Sequence, residues 1–151
     1  MQTDTDADVI ILGAGASGLC CAVACARRGR RVLVVDHGAK AGRKVLASGG
    51  GRCNCTNRQV TAADYRCANP HFVKSALARC TPEDFLDWVH GGGVATREEG
   101  GGKVFCRDGA LSLARFLVAE AREAGARLLL GARVLGAAKD GDVFAGATDG
   151  G

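Results

Sequence analysis

Three glycines near the start of the chain have the spacing of a dinucleotide-binding turn. Gly13, Gly15 and Gly18 follow an apolar run at 9–12 and precede a helical stretch of small residues. In such a turn the first glycine permits the tight backbone geometry, the second lets a pyrophosphate approach the backbone, and the third lets the helix pack against the strand. The N–H groups at the start of the helix then face the phosphates. The sequence therefore predicts a pyrophosphate site formed by Gly13, Gly15, Ala16, Ser17 and Gly18.

An acidic residue closes the next predicted strand. Residues 31–36 read RVLVVD, which places Asp36 23 residues after Gly13. A carboxylate at this position can accept hydrogen bonds from both hydroxyls of a ribose, and it would repel a 2′-phosphate, which disfavours NADP at this site. The alternative is a structural glycine turn without a ligand, and the agreement of strand, spacing, helix and acid argues against it. The glycine pattern alone does not choose between FAD and NAD.

Residues 37–57 are rich in glycine and basic residues, lack apolar periodicity, and are predicted to form a long functional loop. Three adjacent glycines in the segment GRKVLASGGGRCNCTN at 42–57 let the backbone approach a flat ring or a phosphate. An NAD-binding domain usually continues from its second strand into an ordinary helix, so this loop favours FAD in part; a solvated basic surface loop is the alternative. Positive charge near a diphosphate would come from Arg43, Lys44 and Arg52, and hydrogen-bonding groups from Ser48, Asn54, Thr56 and Asn57.

The remaining patterns predict an α/β fold around a parallel sheet. The run at 9–12 has no polar residue, which is typical of a central strand covered on both faces. Glu98 and Glu99 are predicted to lie in a solvated loop. Residues 1–6 are predicted to be a disordered tail, and 7–151 to belong to one domain. The predicted helices are 16–28, 70–79, 81–90 and 110–124, and the predicted strands are 9–12, 31–36, 127–130 and a hairpin of 132–138 with 143–148.

Charge and cysteine usage exclude several classes of protein. The 151 residues carry 20 basic and 16 acidic side chains, and the net charge of +4 is too small and too evenly spread to predict a nucleic-acid surface. The eight cysteines form no CxxC pair and no Cys/His ligand spacing, so no metal site and no disulfide framework is predicted, and a reduced cytoplasmic chain is the better interpretation. Cys53 and Cys55 form a CxC pair, whose tight spacing would strain a bridge, so no catalytic disulfide is predicted.

The uncharged run at 9–26 resembles a signal peptide in length. It follows three aspartates and no basic residue, and glycines interrupt it, whereas a signal peptide begins with positive charge. A buried strand, a glycine turn and a packed helix explain the run better. No targeting segment and no contact with a membrane are predicted.

Three segments together resemble one family. DVIILGAGASGL, GRKVLASGGGRCNCTN and GGKVFCRDGALSLARFLVAEAREAGARL are similar to the BaiN/RdsA-type NAD(P)/FAD-dependent oxidoreductases, also called aminoacetone-oxidase-family FAD-binding proteins. The resemblance covers about residues 8–149, and the middle segment is its most specific part. It implies a three-layer FAD/NAD(P)-binding Rossmann-like domain of the glutathione-reductase type, with a β-hairpin crossover layer. Departures from the family pattern are Asp36 in place of glutamate, Cys55, and Cys106 in place of proline.

The resemblance also implies where FAD lies. It places the three glycines at the pyrophosphate, Asp36 at the adenosine ribose with His37 next in the chain, and Val134 at the adenine through its backbone. The residues expected along the path from the diphosphate toward the flavin are Arg43, Lys44, Ser48, Gly49, Gly50, Arg52 and Asn54.

The implied function is hydride transfer from NAD(P)H through FAD to an unidentified organic acceptor, with a small-molecule substrate and no nucleic acid. An unsaturated steroid-like or bile-acid-like ketone is one candidate. Family members are much longer, so the chain is expected to be the N-terminal part of the FAD domain, without its substrate domain and C-terminal completion; its own activity and its oligomeric state stay open. The alternatives are an NAD-dependent Rossmann dehydrogenase domain and a non-catalytic or inactive FAD-binding fragment. A flavin-dependent RNA-modifying enzyme is disfavoured by the lack of a basic surface and by the segment at 42–57.

Overall fold

The computed structural model describes residues 6–149. The chain divides into a first unit, Met1–Val45 with Leu117–Gly151, and a second unit, Leu46–Phe116. In chain order the elements are β1 Val9–Leu12, α1 Ala16–Ala26, β2 Val32–Asp36, α2 Arg43–Ala47, β3 Asn54–Asn57, α3 Lys74–Arg79, α4 Pro82–Gly91, β4 Thr96–Glu99, β5 Lys103–Cys106, α5 Ala110–Glu123, β6 Arg127–Leu130, β7 Val134–Asp140 and β8 Val143–Thr148.

The first unit contains the predicted parallel sheet, in the order β1-β2-β6. The middle strand β2 is an unbroken apolar run whose first four residues are all buried. Helix α1 begins after Gly15, buries a stripe of small and apolar side chains that includes Leu19, and is followed by Gly29 at φ +75°. The β-turn-α-β unit that carries the glycine turn is therefore confirmed.

The prediction that β1 is covered on both faces is wrong. Val9 and Ile11 are partly buried, whereas the side chains between and after them, Ile10 and Leu12, are 43% and 62% exposed. Within the described residues β1 pairs only with β2, so it lies at the edge of the sheet. A purely apolar run predicts burial from composition alone, but the pleat places alternate side chains on opposite faces. Here one face of β1 is packed and the other is open.

The first unit also contains the hairpin of β7 and β8, which confirms the predicted hairpin with a shift of two residues in β7. Gly141, at φ +57°, and Asp142 connect the two antiparallel strands. The register shifts between Val134 and Gly136, at the start of β7. Val134 packs there against a buried cluster that includes Leu33, Val35 and Ala132.

The second unit holds a three-stranded antiparallel sheet in the order β3-β5-β4. Two predictions are wrong. The segment 37–57 is not a long loop, because it contains α2, a 3₁₀ turn at Ser48–Gly51 and β3. Glu98 and Glu99 do not lie in a loop, because they belong to β4 and pair with β5. These strands are four residues long and mostly polar at β3 and β4, so their pairing with β5 is not visible as local periodicity. The predicted helix at 70–79 begins only at Lys74.

Capping explains why α4 begins where predicted. The Thr81 hydroxyl accepts a hydrogen bond from the Asp84 N–H at 3.1 Å, and the Asp84 carboxylate accepts from the Thr81 N–H at 2.8 Å. Pro82 occupies the first turn, where its missing N–H costs nothing. Edge-on packing of Trp88 against Phe116, with ring centroids 5.0 Å apart, then holds the helix within the second unit.

Three observations concern membranes, metals and disulfides. Among residues 6–149 there is no helix with the length and apolar character needed to cross a membrane. The same part of the chain has no group of three or more His, Cys, Asp or Glu side chains suited to a metal ion. All eight cysteines are unbridged.

Candidate dinucleotide site

A cleft of about 510 Å³ in the first unit brings several predicted site residues together. The end of β1, the end of β2 and the start of β7 form its walls. Gly13, Asp36, His37 and Val134 were predicted for the site, and the structure places all four in this cleft. Its lining residues are Leu12, Gly13, Val35, Asp36, His37, Ala132, Arg133 and Val134.

The structural constraint that favours glycine differs among the three glycines of the turn. Gly13 has φ +104°, a conformation that other residues rarely adopt. A Cβ at position 18 would lie 2.0 Å from the carbonyl oxygen of Gly13, so close packing requires Gly18. A Cβ at position 15 would meet no protein atom within 4 Å, and Gly15 has φ −80°. Protein packing therefore does not explain why position 15 is glycine. This is expected where a glycine leaves space for a ligand.

The start of α1 has free hydrogen-bond donors. The first N–H groups of a helix lack intrahelical partners, and Gly15, as the N-cap, has no side chain to accept from them. Ala16, Ser17 and Gly18 supply these N–H groups, and the first turn of α1 contains no acidic residue. The partial positive charge at this end of the helix is therefore available to an anion.

Asp36 connects the end of β2 to the glycine turn. One carboxylate oxygen accepts from the Ala14 N–H and the other from the Gly38 N–H, each at 2.7 Å. Burial would raise the pKa of Asp36, but these two bonds, together with His37 and Arg43 nearby, outweigh it and place the pKa below its ordinary value of 3.8. A carboxylate has about four acceptor positions, so two remain for other donors.

Two cationic or polar side chains lie beside this carboxylate. His37 Nδ1 is 3.6 Å from the nearer Asp36 oxygen, and His37 Nε2 is 3.1 Å from an Arg43 guanidinium nitrogen. Arg43 and Lys44 begin α2 and are exposed to solvent. The carboxylate is thus flanked by donors and by positive charge.

Sequence reasoning missed several members of the cleft. Arg133 lines it directly before Val134, and its backbone N–H donates to the Asp149 carboxylate at 2.6 Å. Its position at the start of a strand after the third parallel strand was the available signal. Leu12, Val35 and Ala132 add an apolar wall that their strand-end positions could have indicated.

The other predicted site residues belong to the second unit. Ser48, Gly49 and Gly50 form the 3₁₀ turn, and Asn54 begins β3. A Cβ at position 49 would lie 3.1 Å from both the Asn54 backbone nitrogen and a Phe105 ring carbon, and Gly49 has φ +56°. The local fold of this turn therefore explains why position 49 is glycine.

Arg52 differs from the expectation of a free positive charge. Its guanidinium lies 4.4 Å from the centre of the Phe105 ring and 3.1 Å from a Glu99 oxygen. Its Nε also donates to the Gly49 carbonyl oxygen at 3.3 Å. These contacts connect the 3₁₀ turn at Ser48–Gly51 to β4 and β5 within the second unit.

The fold and the cleft define a class: a Rossmann-like domain of the dinucleotide-binding type. Residues 7–150 match the HI0933-like protein Rossmann domain, so the chain belongs to that family, which confirms the resemblance drawn from the sequence. Among curated proteins it is 48% identical to the ribosomal RNA dihydrouridine synthase of Escherichia coli strain K12 over 133 residues, which is 88% of this chain and 33% of that protein. It is 32% identical to the 3-dehydro-bile acid delta(4,6)-reductase of Clostridium scindens over 126 residues, 82% of this chain and 31% of that protein.

A solved structure confirms the fold class. The 3-ketosteroid-delta4-(5alpha)-dehydrogenase of Rhodococcus jostii RHA1 superposes with a TM-score of 0.63 at 19% identity, over 95% of this chain and 44% of that chain. The chain spans about a third of the length of the curated relatives it matches. The roles of the individual site residues stay predictions.

The different reasons for Gly15 and Gly18 generate a mutational prediction. Gly15→Val should leave the helical content unchanged but weaken FAD binding by about 100-fold or more, because it blocks charge-assisted hydrogen bonds worth roughly 1.5–3 kcal/mol each. Gly18→Ala should instead lower the free energy of unfolding by about 1–3 kcal/mol through overpacking. Circular dichroism, denaturant unfolding and FAD titration separate the two effects. Full FAD affinity in Gly15→Val would contradict the assignment of the turn.

The hydrogen bonds of Asp36 generate a prediction of pH dependence. Because its folded pKa is lowered, its contribution to stability is complete above pH 3.8 and is lost as the pH falls through the folded pKa. Asp36→Asn should cost about 1 kcal/mol of unfolding free energy at neutral pH, and the difference from the wild-type protein should shrink below pH 3.8. Denaturant unfolding across this range measures it, with Asp142→Asn at the exposed hairpin turn as the control. A difference that is independent of pH would refute the explanation.

Proposed function

We propose that the protein binds FAD with its adenosine half in the cleft of the first unit. The observation that carries this proposal is that Gly13, the first residue of the glycine turn, lines one cleft together with Asp36 and Val134. The pyrophosphate would accept hydrogen bonds from the N–H groups that begin α1. Asp36 would accept from the ribose hydroxyls with the positions that its two backbone donors leave, and the adenine would lie beside Val134.

The exposed cations at the start of α2 are proposed to act at the diphosphate. Arg43 and Lys44 carry charges of the required sign, and Arg43 already reaches the edge of the cleft through His37. The residues proposed along the path toward the flavin are Ser48, Gly49, Gly50, Arg52 and Asn54, with Arg52 acting by holding the 3₁₀ turn at Ser48–Gly51 in place.

When bound, FAD supplies a group that accepts and donates hydride. We propose NAD(P)H as the donor, and a carbon–carbon double bond conjugated to a carbonyl group as the acceptor. The names of two relatives support this class of reaction. Dihydrouridine is uridine reduced at such a double bond, and a delta(4,6)-reductase acting on a 3-dehydro bile acid reduces double bonds in conjugation with a ketone.

Two acceptors fit this reaction. A uridine in ribosomal RNA is the first candidate, because the identity to the dihydrouridine synthase, 48%, exceeds the 32% identity to the bile-acid reductase. A small unsaturated ketone without nucleic-acid contact is the second, and the modest, evenly spread charge of the chain favours it. The two acceptors differ in whether the protein contacts a nucleic acid, and the cytoplasmic location stays a prediction.

Anaerobic reduction tests the proposed donor. Addition of NADH or NADPH to the FAD-loaded full-length protein should bleach the flavin absorption band. Gly15→Val, which should bind FAD much more weakly, is the control for reduction of free flavin. A band that stays unchanged with both nucleotides would contradict the donor while leaving the cofactor proposal intact.

The reduced protein then tests the acceptor. Unmodified ribosomal RNA should restore the flavin band and gain two hydrogens at a uridine, as measured by mass spectrometry of its nucleosides. Restoration by a 3-keto-4-ene steroid alone would favour the small-molecule acceptor. Failure of both compounds to restore the band would contradict the proposed class of reaction.

A further inference from the structure

Three cysteines meet on one face of the sheet in the second unit. Asn54 of β3 pairs with Phe105 of β5, and next to this pair the Cys106 N–H donates to the Cys53 carbonyl oxygen at 3.2 Å. Cys53 and Cys106 are therefore neighbours across the two strands, and both are buried. Cys55 is the extra residue of the β-bulge between Asn54 and Thr56.

The bulge brings Cys55 toward Cys106. In a regular antiparallel ladder Cys55 would be a diagonal neighbour of Cys106, at about 7–8 Å between Cα atoms. Because the bulge places two steps of β3 against one step of β5, the offset along the strands is shorter here. As a result, the side chains of Cys55 and Cys106 are close enough for each to affect the pKa of the other.

The three thiols influence one another in order, Cys53 with Cys106 and Cys106 with Cys55. The interaction with Cys106 lowers the pKa of Cys55, with help from the Cys55 and Thr56 N–H groups and against the effect of burial. As a thiol, Cys55 also donates to the Val104 carbonyl oxygen at 3.2 Å, a bond that ionisation gives up.

The other two thiols are the less acidic members. The interaction with Cys106 and burial raise the pKa of Cys53. At Cys106 the neighbouring Cys53 lowers the pKa, but the interaction with Cys55 and burial outweigh this effect and raise it. Cys55 is only partly buried, whereas Cys53 and Cys106 are 2% and 3% exposed. Solvent access and the lowered pKa therefore both indicate Cys55 as the reactive thiol.

We propose that Cys55 and Cys106 form an oxidisable thiol pair that reacts with hydrogen peroxide and closes to a disulfide. The Cys55 thiolate attacks one peroxide oxygen, the O–O bond breaks, and Cys55 becomes a sulfenic acid as hydroxide leaves and takes up a proton. The Cys106 thiol then attacks the Cys55 sulfur; the S–O bond breaks and a second water leaves with the Cys106 proton. Two thiols lose two electrons in total, and one peroxide becomes two waters.

This inference is independent of the proposed cofactor and substrate. It also differs from a bridge within the CxC pair, whose tight spacing disfavours it. A transient bond of this kind is compatible with a reduced chain, because disulfides in reducing compartments are usually catalytic or sensing. Its expected local effect is to join the bulge of β3 covalently to β5.

Peptide mapping tests the pair directly in the folded full-length protein. Trypsin cleaves after Arg52, Arg58, Lys103 and Arg107, which gives the peptides 53–58 and 104–107. After brief exposure to hydrogen peroxide and alkylation of the remaining thiols, mass spectrometry should find these two peptides linked, with a loss of two hydrogens. Fragmentation should place the bond at Cys55, with Cys53 alkylated. Dithiothreitol should reverse the linkage.

Variants identify the attacking and the resolving thiol. Cys55→Ser should slow peroxide consumption by about tenfold or more, since a weakly ionised buried thiol reacts slowly. Cys106→Ser should keep the first step, so that dimedone labels a sulfenic acid at Cys55. Cys67→Ser, at an exposed cysteine of the same unit, is the control and should behave like the wild-type protein.

Several results would overturn the proposal. A bridge between Cys53 and Cys55, which leaves peptide 53–58 unlinked but lighter by two hydrogens, would do so. A linked pair in which Cys53 replaces Cys55 would also do so. Oxidation of Cys55 to sulfinic acid in the wild-type protein without a link to peptide 104–107 would show that Cys106 does not resolve it.

Discussion

The cleft depends on one carboxylate. Asp36 ends the central strand of the parallel sheet, and its two oxygens accept hydrogen bonds from the backbone of Ala14, in the glycine turn, and of Gly38. Its carbonyl oxygen accepts a third bond, from the Ala132 N–H at 3.1 Å, on the other side of the strand. Hydrogen bonds to an ionised acceptor are stronger than neutral ones. One charged residue therefore positions three chain segments that form the walls of the site.

The proposed function gives the aspartate two roles. As a structural acceptor it fixes the turn that would present N–H groups to a pyrophosphate, and its remaining acceptor positions suit the hydroxyls of a ribose. Its carboxylate lies close to the turn, 2.7 Å from the Ala14 nitrogen. Preorganisation of this kind lowers the ordering cost that binding would otherwise carry.

The predictable parts of the fold are those with local signals. The glycine spacing, the apolar run of β2 and the capping residues of α4 each act within a few residues, and the corresponding elements lie where the sequence predicts them. The sheet β3-β5-β4 was missed because short polar strands acquire their identity from distant partners. The exposure of Leu12 and the bonds of Asp36 to Ala14 depend on which elements pack together, which no single segment of sequence contains. The partners of Arg52 were likewise not predictable from its own segment, since its guanidinium pairs with Glu99 and lies over the Phe105 ring.

The most direct test of this account compares FAD with FMN, which lacks the adenosine half of FAD. If the glycine turn and Asp36 bind that half, the full-length protein should bind FAD at least about 100-fold more tightly than FMN, a difference of roughly 2.7 kcal/mol. Asp36→Ala should reduce that preference by lowering the affinity for FAD while the affinity for FMN stays unchanged. Equal affinities for the two flavins, or an Asp36→Ala variant that keeps the full preference, would contradict the central claim.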